Sequence, residues 1–205
     1  MPVIDALGSP PPASAIAAAM AELAAGHIVA LPTDTVYGLA VGADRPEAMA
    51  LVYEAKRRPD DLRLPVLVAG IEQATTVVHA SEAGLVLMRR FWPGALTIVL
   101  PARPGAAAAG GHPTVGVRSP DAPVAAALCA AAGPLAVTSA NHHGADPPAT
   151  AADVADLFGE EVALVLDGGP CTGTPSTVVD ATGPVLRLLR EGGVPWKDVL
   201  AAAGG

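Results

Sequence analysis

The 205-residue sequence predicts an α/β fold in which a twisted mixed sheet is flanked by helices. Two observations support this prediction. Short runs of Val, Leu and Ile, which are typical of buried strands, alternate with amphipathic segments at helical spacing. The composition is 51% hydrophobic but only 3% aromatic, so the core must be built mainly from aliphatic side chains and alanine. Such a core favours helices packed on the faces of a sheet.

A single domain is expected over residues 1–205, because a chain of this length buries about 70% of its unfolded surface in one core. Residues 1–12 end in three prolines and are expected to be a mobile lead-in. They carry no basic cluster, so we expect no signal peptide. No apolar stretch reaches the roughly 18 residues of a membrane span. We therefore expect a cytoplasmic protein.

The first half of the chain is expected to alternate helix and strand. Ser14 and Ser81 precede apolar patterns at helical spacing and predict helix N-caps, and Pro46 predicts a third helix start. In order, we expect a helix from Ser14 to Gly26, a strand at 27–31, a helix from Pro46 that delivers Lys56 and Arg58, a strand at 66–69 and a helix from Ser81 to about Trp92.

The second half continues the alternation. Gly133 is expected to stop a helix, and Thr150 with Asp153 predicts a capping box. In order, we expect strands at 96–100 and 115–118, a helix at 123–132, a strand at 135–138, a helix from Thr150 to Gly159, and strands at 162–166, 177–180 and 185–189. The Ala/Gly stretch at 106–111 is expected to be a surface loop.

Charge and cysteine content exclude several functions. A net charge of −8 argues against broad nucleic-acid binding, which depends on Lys and Arg neutralising phosphates. The basic patch at 56–63 instead fits a small phosphorylated ligand. Cys129 and Cys171 are too few for a disulfide framework and are expected to be structural. The histidines lack metal-ligand spacing, so we expect no metal site built by protein side chains.

A P-loop and a GxGxxG fingerprint are both absent, so phosphates must be held differently. Polar residues instead recur where predicted strands end, which is where α/β proteins bind ligands. Taken singly, each is typical of a turn, a cap or a surface ion pair. Together they predict one shared cleft at strand ends. They are Thr33, Asp34, Thr35, Arg118, Thr138, Ser139, Asn141, Ser176, Thr177 and Arg190.

Seven blocks of the sequence, in order, resemble the signature of the YrdC/TsaC family. They are PTDTVYGL at 32–39, KRRP at 56–59, FWPGALT at 91–97, RSP at 118–120, TSAN at 138–141, PSTVVD at 175–180 and REG at 190–192. The resemblance covers about residues 14–194. The chain is similar to the short form of the family, without the C-terminal extension of longer members.

The resemblance implies a YrdC-like fold and a nucleotidyltransferase activity. Family members form L-threonylcarbamoyl-AMP and pyrophosphate from L-threonine, bicarbonate and ATP, and we expect Mg²⁺ to arrive with the ATP. The product is expected to pass to a tRNA threonylcarbamoyltransferase complex that modifies the adenosine beside the anticodon. Weak RNA binding is a further possibility that the resemblance leaves open.

The resemblance also implies roles for individual residues. The expected catalytic residues are Lys56, Arg58 and Arg118. The expected ATP-binding residues are Lys56, Arg58, Thr114, Ser139, Asn141 and Arg190. The expected threonine-binding residues are Thr35, Arg118, Thr138 and Ser176, with Arg118 gripping the carboxylate. The block at 92–94 is expected to be structural.

Three departures from the family pattern leave other functions open. Ala69 stands where the family often has histidine, the segment at 60–64 is longer than usual, and His143 replaces a serine. One alternative is a diverged paralogue acting on another amino acid or on a carbamoyl group. Another is a non-catalytic RNA-binding or ribosome-assembly factor, whose affinity would fall steeply with salt.

Overall fold

The structure is a computed structural model that describes residues 1–57, 63–142, 144–171 and 173–204. The strands are β1 (Val3–Asp5), β2 (Val29–Leu31), β3 (Gly38–Gly42), β4 (Val66–Leu67), β5 (Leu96–Pro101), β6 (Thr114–Arg118), β7 (Leu135–Ser139), β8 (Leu164–Asp167), β9 (Thr177–Asp180) and β10 (Arg187–Arg190). The helices are α1 (Ala13–Ala24), α2 (Pro46–Ala55), α3 (Ile71–Val77), α4 (Glu82–Phe91), α5 (Pro123–Ala132), α6 (Ala151–Phe158) and α7 (Trp196–Ala202).

The strands form a 10-stranded sheet in the order β1-β8-β2-β3-β7-β4-β6-β5-β9-β10. Pairing is parallel between β1, β8 and β2, between β4 and β6, and between β5 and β9. The other neighbouring strands are antiparallel. The predicted mixed sheet flanked by helices is therefore confirmed.

The two faces of the sheet are covered unequally. On the first face, buried side chains of α2, α3, α4, α6 and α7 form one core with the strands that lie between β8 and β9 in the sheet order, both included. On the second face, α1 and α5 form a smaller core with β2, β3, β4, β7 and β8. Within the described residues, β5, β6, β9 and β10 contribute nothing to this second core. The second face is thus left open beyond β4.

Local signals set several helix ends as expected. Thr150 and Asp153 form the predicted capping box, with each side chain accepting a hydrogen bond from the other residue's backbone N–H. Helix α5 spans Pro123–Ala132 and ends at Gly133, whose φ of 90° favours glycine. Helix α1, however, begins directly after Pro12, and Ser14 does not cap it.

Four elements were not predicted from the sequence: β1, β3, α3 and α7. Strand β1 lies inside the expected lead-in, where Val3 pairs with Val165 on β8. The expected loop at 106–111 contains a short 3-10 turn, Ala107–Ala109. None of the helices in the described part of the chain has the length and apolar character needed to cross a membrane.

Candidate active site

A cleft of about 590 Å³ lies on the open part of the second sheet face. Every second residue of the strands faces the cleft, and these residues form its floor. They include Leu67, Val99, Gly116, Val137 and Val178. Polar residues from strand ends and loops form its walls. The predicted cleft at strand ends is therefore present, and it also extends across the face of the sheet.

Strand β6 spans the cleft and defines its two ends. Thr114, Gly116 and Arg118 point to the same face because side chains alternate along a strand. At roughly 3.3 Å per residue, about 13 Å separate Thr114 from Arg118. Gly116, between them, has no side chain, so no side chain of β6 projects into the middle of the cleft. We refer to the two regions as the Arg118 end and the Thr114 end.

The Arg118 guanidinium is fixed by three acceptors. Its Nε donates to the carbonyl oxygen of Gly94 (2.9 Å) and its Nη1 to Oγ1 of Thr35 (3.0 Å). Its Nη2 forms an ion pair with Oδ1 of Asp34. Arg118 is only 5% exposed, and burial lowers its pKa while the charge of Asp34 opposes that shift. The plane of the guanidinium is thus held before any ligand binds.

Arg190 and Ser176 lie near the same end. Arg190 donates from Nε and Nη2 to the carbonyl oxygen of Ser176 (3.1 and 2.8 Å), and Ser176 Oγ lies 2.9 Å from Oγ1 of Thr97. Burial lowers the pKa of Arg190, and the positive charge of Arg118 lowers it further. The two guanidinium groups therefore repel each other, and an anion between them would relieve that repulsion.

A strap formed by Cys171 and Gly173 holds the loop that carries Thr35. The Cys171 thiol donates to the carbonyl oxygen of Thr33 (3.2 Å), and the Gly173 N–H donates to that of Thr35 (3.0 Å). Burial raises the pKa of Cys171 and raises that of Cys129 to about 12, so neither thiol is a ready nucleophile. The strap is a structural support for the Arg118 end.

Replacing Gly173 with alanine is expected to disrupt this support. A Cβ at residue 173 would lie 2.4 Å from the carbonyl oxygen of Asp34 and 2.8 Å from Cα of Thr35, so backbone must move. We expect a loss of about 1–3 kcal/mol in the free energy of unfolding, measured by urea denaturation. Gly183→Ala is the matched control, because nothing lies within 4 Å of its added Cβ. Equal stability of the two variants would contradict the close approach.

Lys56 lies behind the cleft wall, although it was expected among the ligand-binding residues. It follows α2, is 2% exposed and donates from Nζ to the carbonyl oxygens of Ser139 and, at 2.5 Å, of Asn141. These contacts fix the turn whose residues Ser139 and Asn141 line the cleft. The ammonium group therefore shapes the wall, and direct contact with a triphosphate stays a prediction.

The side chain of Asn141, a residue that lines the cleft, is fixed by hydrogen bonds. Its Nδ2 donates to the carbonyl oxygens of His142 and Ala145, both at 2.8 Å, which fixes the amide. Its buried Oδ1 has no hydrogen-bond partner in the part of the chain that the structure describes.

The structure brings most of the predicted site residues together. Those that line the cleft are Thr35, Arg118, Thr138, Ser139, Asn141, Ser176 and Arg190. Thr114 lies at the rim, where it accepts hydrogen bonds from Arg63. Arg58, His143 and residues 60–62 fall outside the described residues. Ala69 lies in a separate hollow with Trp92 and Ser119.

Sequence reasoning missed three contributors to the cleft. Arg63 belongs to the basic patch but was given no individual role, and Thr97 was placed in the predicted strand at 96–100 without a role in the site. Two-residue alternation with Val99 would have placed Thr97 on the cleft face. Gly94, which accepts from Arg118, gave no signal of its own. Among the described residues, no group of three or more His, Cys, Asp or Glu side chains is arranged to hold a metal ion.

The chain matches the Sua5/YciO/YrdC family model, described as telomere recombination, over residues 21–192. A Bacillus subtilis protein named threonylcarbamoyl-AMP synthase is 41% identical, and the match covers 98% of this chain and 60% of that protein. The solved structure of Pyrococcus abyssi Sua5 complexed with L-threonine is 35% identical with a TM-score of 0.93, over 100% of this chain and 61% of that one.

The crystal structure of Escherichia coli YciO is 25% identical with a TM-score of 0.86 and covers 97% of this chain and 98% of that one. The chain thus spans 60% of the length of the Bacillus subtilis relative and 61% of Pyrococcus abyssi Sua5, but nearly all of YciO.

Proposed function

The chain belongs to the Sua5/YciO/YrdC family, and from that premise we propose that it is an L-threonylcarbamoyl-AMP synthase acting in threonylcarbamoyl-adenosine modification of tRNA. The observation that supports this proposal most directly is the Arg118 end of the cleft. There, a pre-oriented guanidinium and a second, repelling guanidinium on Arg190 face one volume. That arrangement suits a ligand with more than one negative charge.

In the proposed reaction, the ammonium group of L-threonine first gives up a proton. The resulting amine adds to the carbon of bicarbonate, and water is lost to give a carbamate. A carbamate oxygen then attacks the α-phosphorus of ATP. The bond between that phosphorus and the oxygen bridging to the β-phosphate breaks, and pyrophosphate leaves. Positioning and charge stabilisation are the main demands on the protein, because no covalent enzyme intermediate is needed.

Arg118 is proposed to bind the threonine carboxylate. A guanidinium has five N–H groups, and Arg118 uses three of them on Gly94, Thr35 and Asp34. One N–H remains on each Nη atom, so both Nη atoms can still donate a hydrogen bond to a carboxylate. Thr35 and Ser176 line the cleft beside it, and Thr138 lines the same wall as Ser139.

ATP is proposed to occupy the rest of the cleft, with Ser139, Asn141 and Arg190 in contact with it and Lys56 supporting the turn at 139–141. Arg58 and Thr114 complete the proposed nucleotide set. Mg²⁺ would be carried by the phosphates, and its chemistry is to neutralise their charge. Because the described residues offer no carboxylate cluster for it, we assign it no step of the reaction.

The product is proposed to pass to a tRNA threonylcarbamoyltransferase complex. Threonylcarbamoyl-AMP is a mixed anhydride that transfers its acyl group readily, so a consuming acyl transfer must follow its release. The net charge of −8 supports small-molecule substrates over an extended RNA ligand on this chain.

The deciding experiment combines purified protein with ATP, Mg²⁺ and bicarbonate, and with L-threonine, L-serine or no amino acid. We expect pyrophosphate release that depends on threonine, together with the mass of threonylcarbamoyl-AMP. Product with another amino acid alone would favour a diverged paralogue. Absence of product with any amino acid, despite ATP binding, would overturn the proposal. A strongly salt-dependent affinity for RNA in its place would favour the non-catalytic alternative.

A further inference from the structure

We propose that Arg63, held in place by Thr114, binds the departing pyrophosphate at the Thr114 end of the cleft. This inference rests on the proposed function, because it assigns a leaving-group site to that reaction. Arg63 lines the cleft, and its Nη1 donates to both the carbonyl oxygen (3.3 Å) and Oγ1 of Thr114. The contact holds the guanidinium at the start of β6.

Arg63 has unused binding capacity. In the described residues, its Nε and Nη2 make no hydrogen bond, and no carboxylate lies within ion-pair distance. By contrast, Arg118 is paired with Asp34 and Arg187 with Asp180. Within the described residues, which exclude Asp60 and Asp61, Arg63 is thus a guanidinium at the cleft wall without a carboxylate partner, and such a group can bind an anion.

The geometry of the proposed reaction places the leaving group at this end. In phosphoryl and nucleotidyl transfer, the attacking and leaving oxygens lie roughly in line on opposite sides of the phosphorus. If the threonine carboxylate is held by Arg118, the carbamate attacks from the Arg118 end. Pyrophosphate then departs away from it, along β6 and over Gly116, towards Thr114 about 13 Å off. Arg63 is a cation anchored at that end and lining the cleft.

The 139–141 turn lies at the same end. Strand β7 runs antiparallel to β4, with Val66 paired to Ala136 and the Val137 N–H donating to the carbonyl oxygen of Pro65. Ser139, at the end of β7, therefore lies beside the start of β4, where Arg63 is located. A pyrophosphate group in this corner would contact Arg63 from one side and the 139–141 turn from the other.

Thr114 has a positioning role in this arrangement. It was expected to face the nucleotide; its hydroxyl oxygen accepts a hydrogen bond from Arg63, and Arg63, not Thr114, is among the residues that line the cleft. Thr114→Val removes the Oγ1 acceptor while keeping the β-branched shape that suits a strand. It should weaken the effect of Arg63 without removing its charge.

The test measures binding of inorganic pyrophosphate by calorimetry and steady-state kinetics for the wild type, Arg63→Ala, Arg63→Lys and Thr114→Val. We expect Arg63→Ala to weaken pyrophosphate binding and to raise the KM for ATP about tenfold, with the KM for threonine unchanged. Arg63→Lys should retain part of the affinity because it keeps the charge. Thr114→Val should show a smaller change in the same direction.

Arg103→Ala is the matched control, because Arg103 also anchors on a backbone carbonyl, that of Thr75, but lies off the cleft. Unchanged pyrophosphate binding in Arg63→Ala would overturn the inference. Equal rises in the KM for ATP and threonine, with a lowered melting temperature, would show that Arg63 only anchors its loop. If the wild type releases no threonine-dependent pyrophosphate, the proposed function fails, while the calorimetric comparison still tests the anion site.

Discussion

Arg118→Ala is expected to lower kcat/KM for threonine by roughly 100-fold or more, because it removes both the carboxylate fork and the partner of Asp34. The remaining hydroxyl groups of Thr35 and Ser176 cannot supply a charge-assisted bidentate contact. Threonine-dependent pyrophosphate release, measured against threonine concentration, checks the result. The ATP affinity should change less than the threonine affinity, because Arg63, Thr114 and the 139–141 turn lie at the other end of the cleft, and Arg190 keeps its own contacts with Ser176.

Two further variants separate catalysis from folding in this experiment. Arg118→Ala also leaves the Asp34 carboxylate, which is 16% exposed, without its ion-pair partner, at a cost of about 3 kcal/mol of stability. Arg118→Lys keeps the charge but not the fork, so it should fold better and still lose most activity. Arg187→Ala, which removes the exposed partner of Asp180 and lies off the cleft, should leave activity unchanged. Full threonine dependence in Arg118→Lys would place the carboxylate elsewhere.

Lys56→Met is the second substitution with a large expected effect. Methionine fills the buried volume but donates no hydrogen bond, so the carbonyl oxygens of Ser139 and Asn141 lose the ammonium group. Each buried acceptor deprived of its donor costs about 1–3 kcal/mol. We expect a melting temperature lower by roughly 5 °C or more and an ATP affinity reduced at least tenfold.

Lys197→Met is the control for this substitution, since Lys197 is the other lysine of the chain and is exposed on α7. It should change neither thermal stability nor ATP binding, both measured by differential scanning fluorimetry with and without nucleotide. If Lys56→Met melts like the wild type, the buried ammonium does not hold the turn at 139–141. If it loses stability but binds ATP normally, the turn does not form the nucleotide wall.

The parts of the fold that could be predicted are those with local signals. Pro123 and Gly133 frame α5, and Thr150 with Asp153 starts α6, because caps and proline act within one or two turns of helix. Strand β3 has glycine at both ends and begins within a block that was interpreted for its chemistry. Its pairing with β2 and β7, which the sequence does not reveal, makes it a strand. Strand β1 is three residues long and depends on β8, far along the chain.

For the candidate site, too, features with a local sequence signal could be predicted and contacts between distant residues could not. The family motifs identified most of the polar residues that line the cleft, because a motif is recognised from the order of residue types along the chain. No knowledge of distances in the fold is needed for that. Contacts between them could not be read, since they join distant positions: Lys56 reaches Ser139 over 83 residues, and Arg118 reaches Asp34 over 84. That is why Lys56 was expected in the open volume and is found behind the wall. The partnership of Arg63 with Thr114, 51 residues apart, was invisible for the same reason.

The uneven covering of the sheet has a consequence for how the molecule holds together. Helices α1 and α5 give β2, β3, β4, β7 and β8 a third layer, whereas β5, β6 and β9 are packed against a core only on the opposite face. A ligand lying on Val99, Gly116 and Val178 would complete the missing layer. The edge hairpin of β9 and β10 would then exchange its amide protons more slowly with ligand bound than without, because the bound ligand covers this face of the sheet.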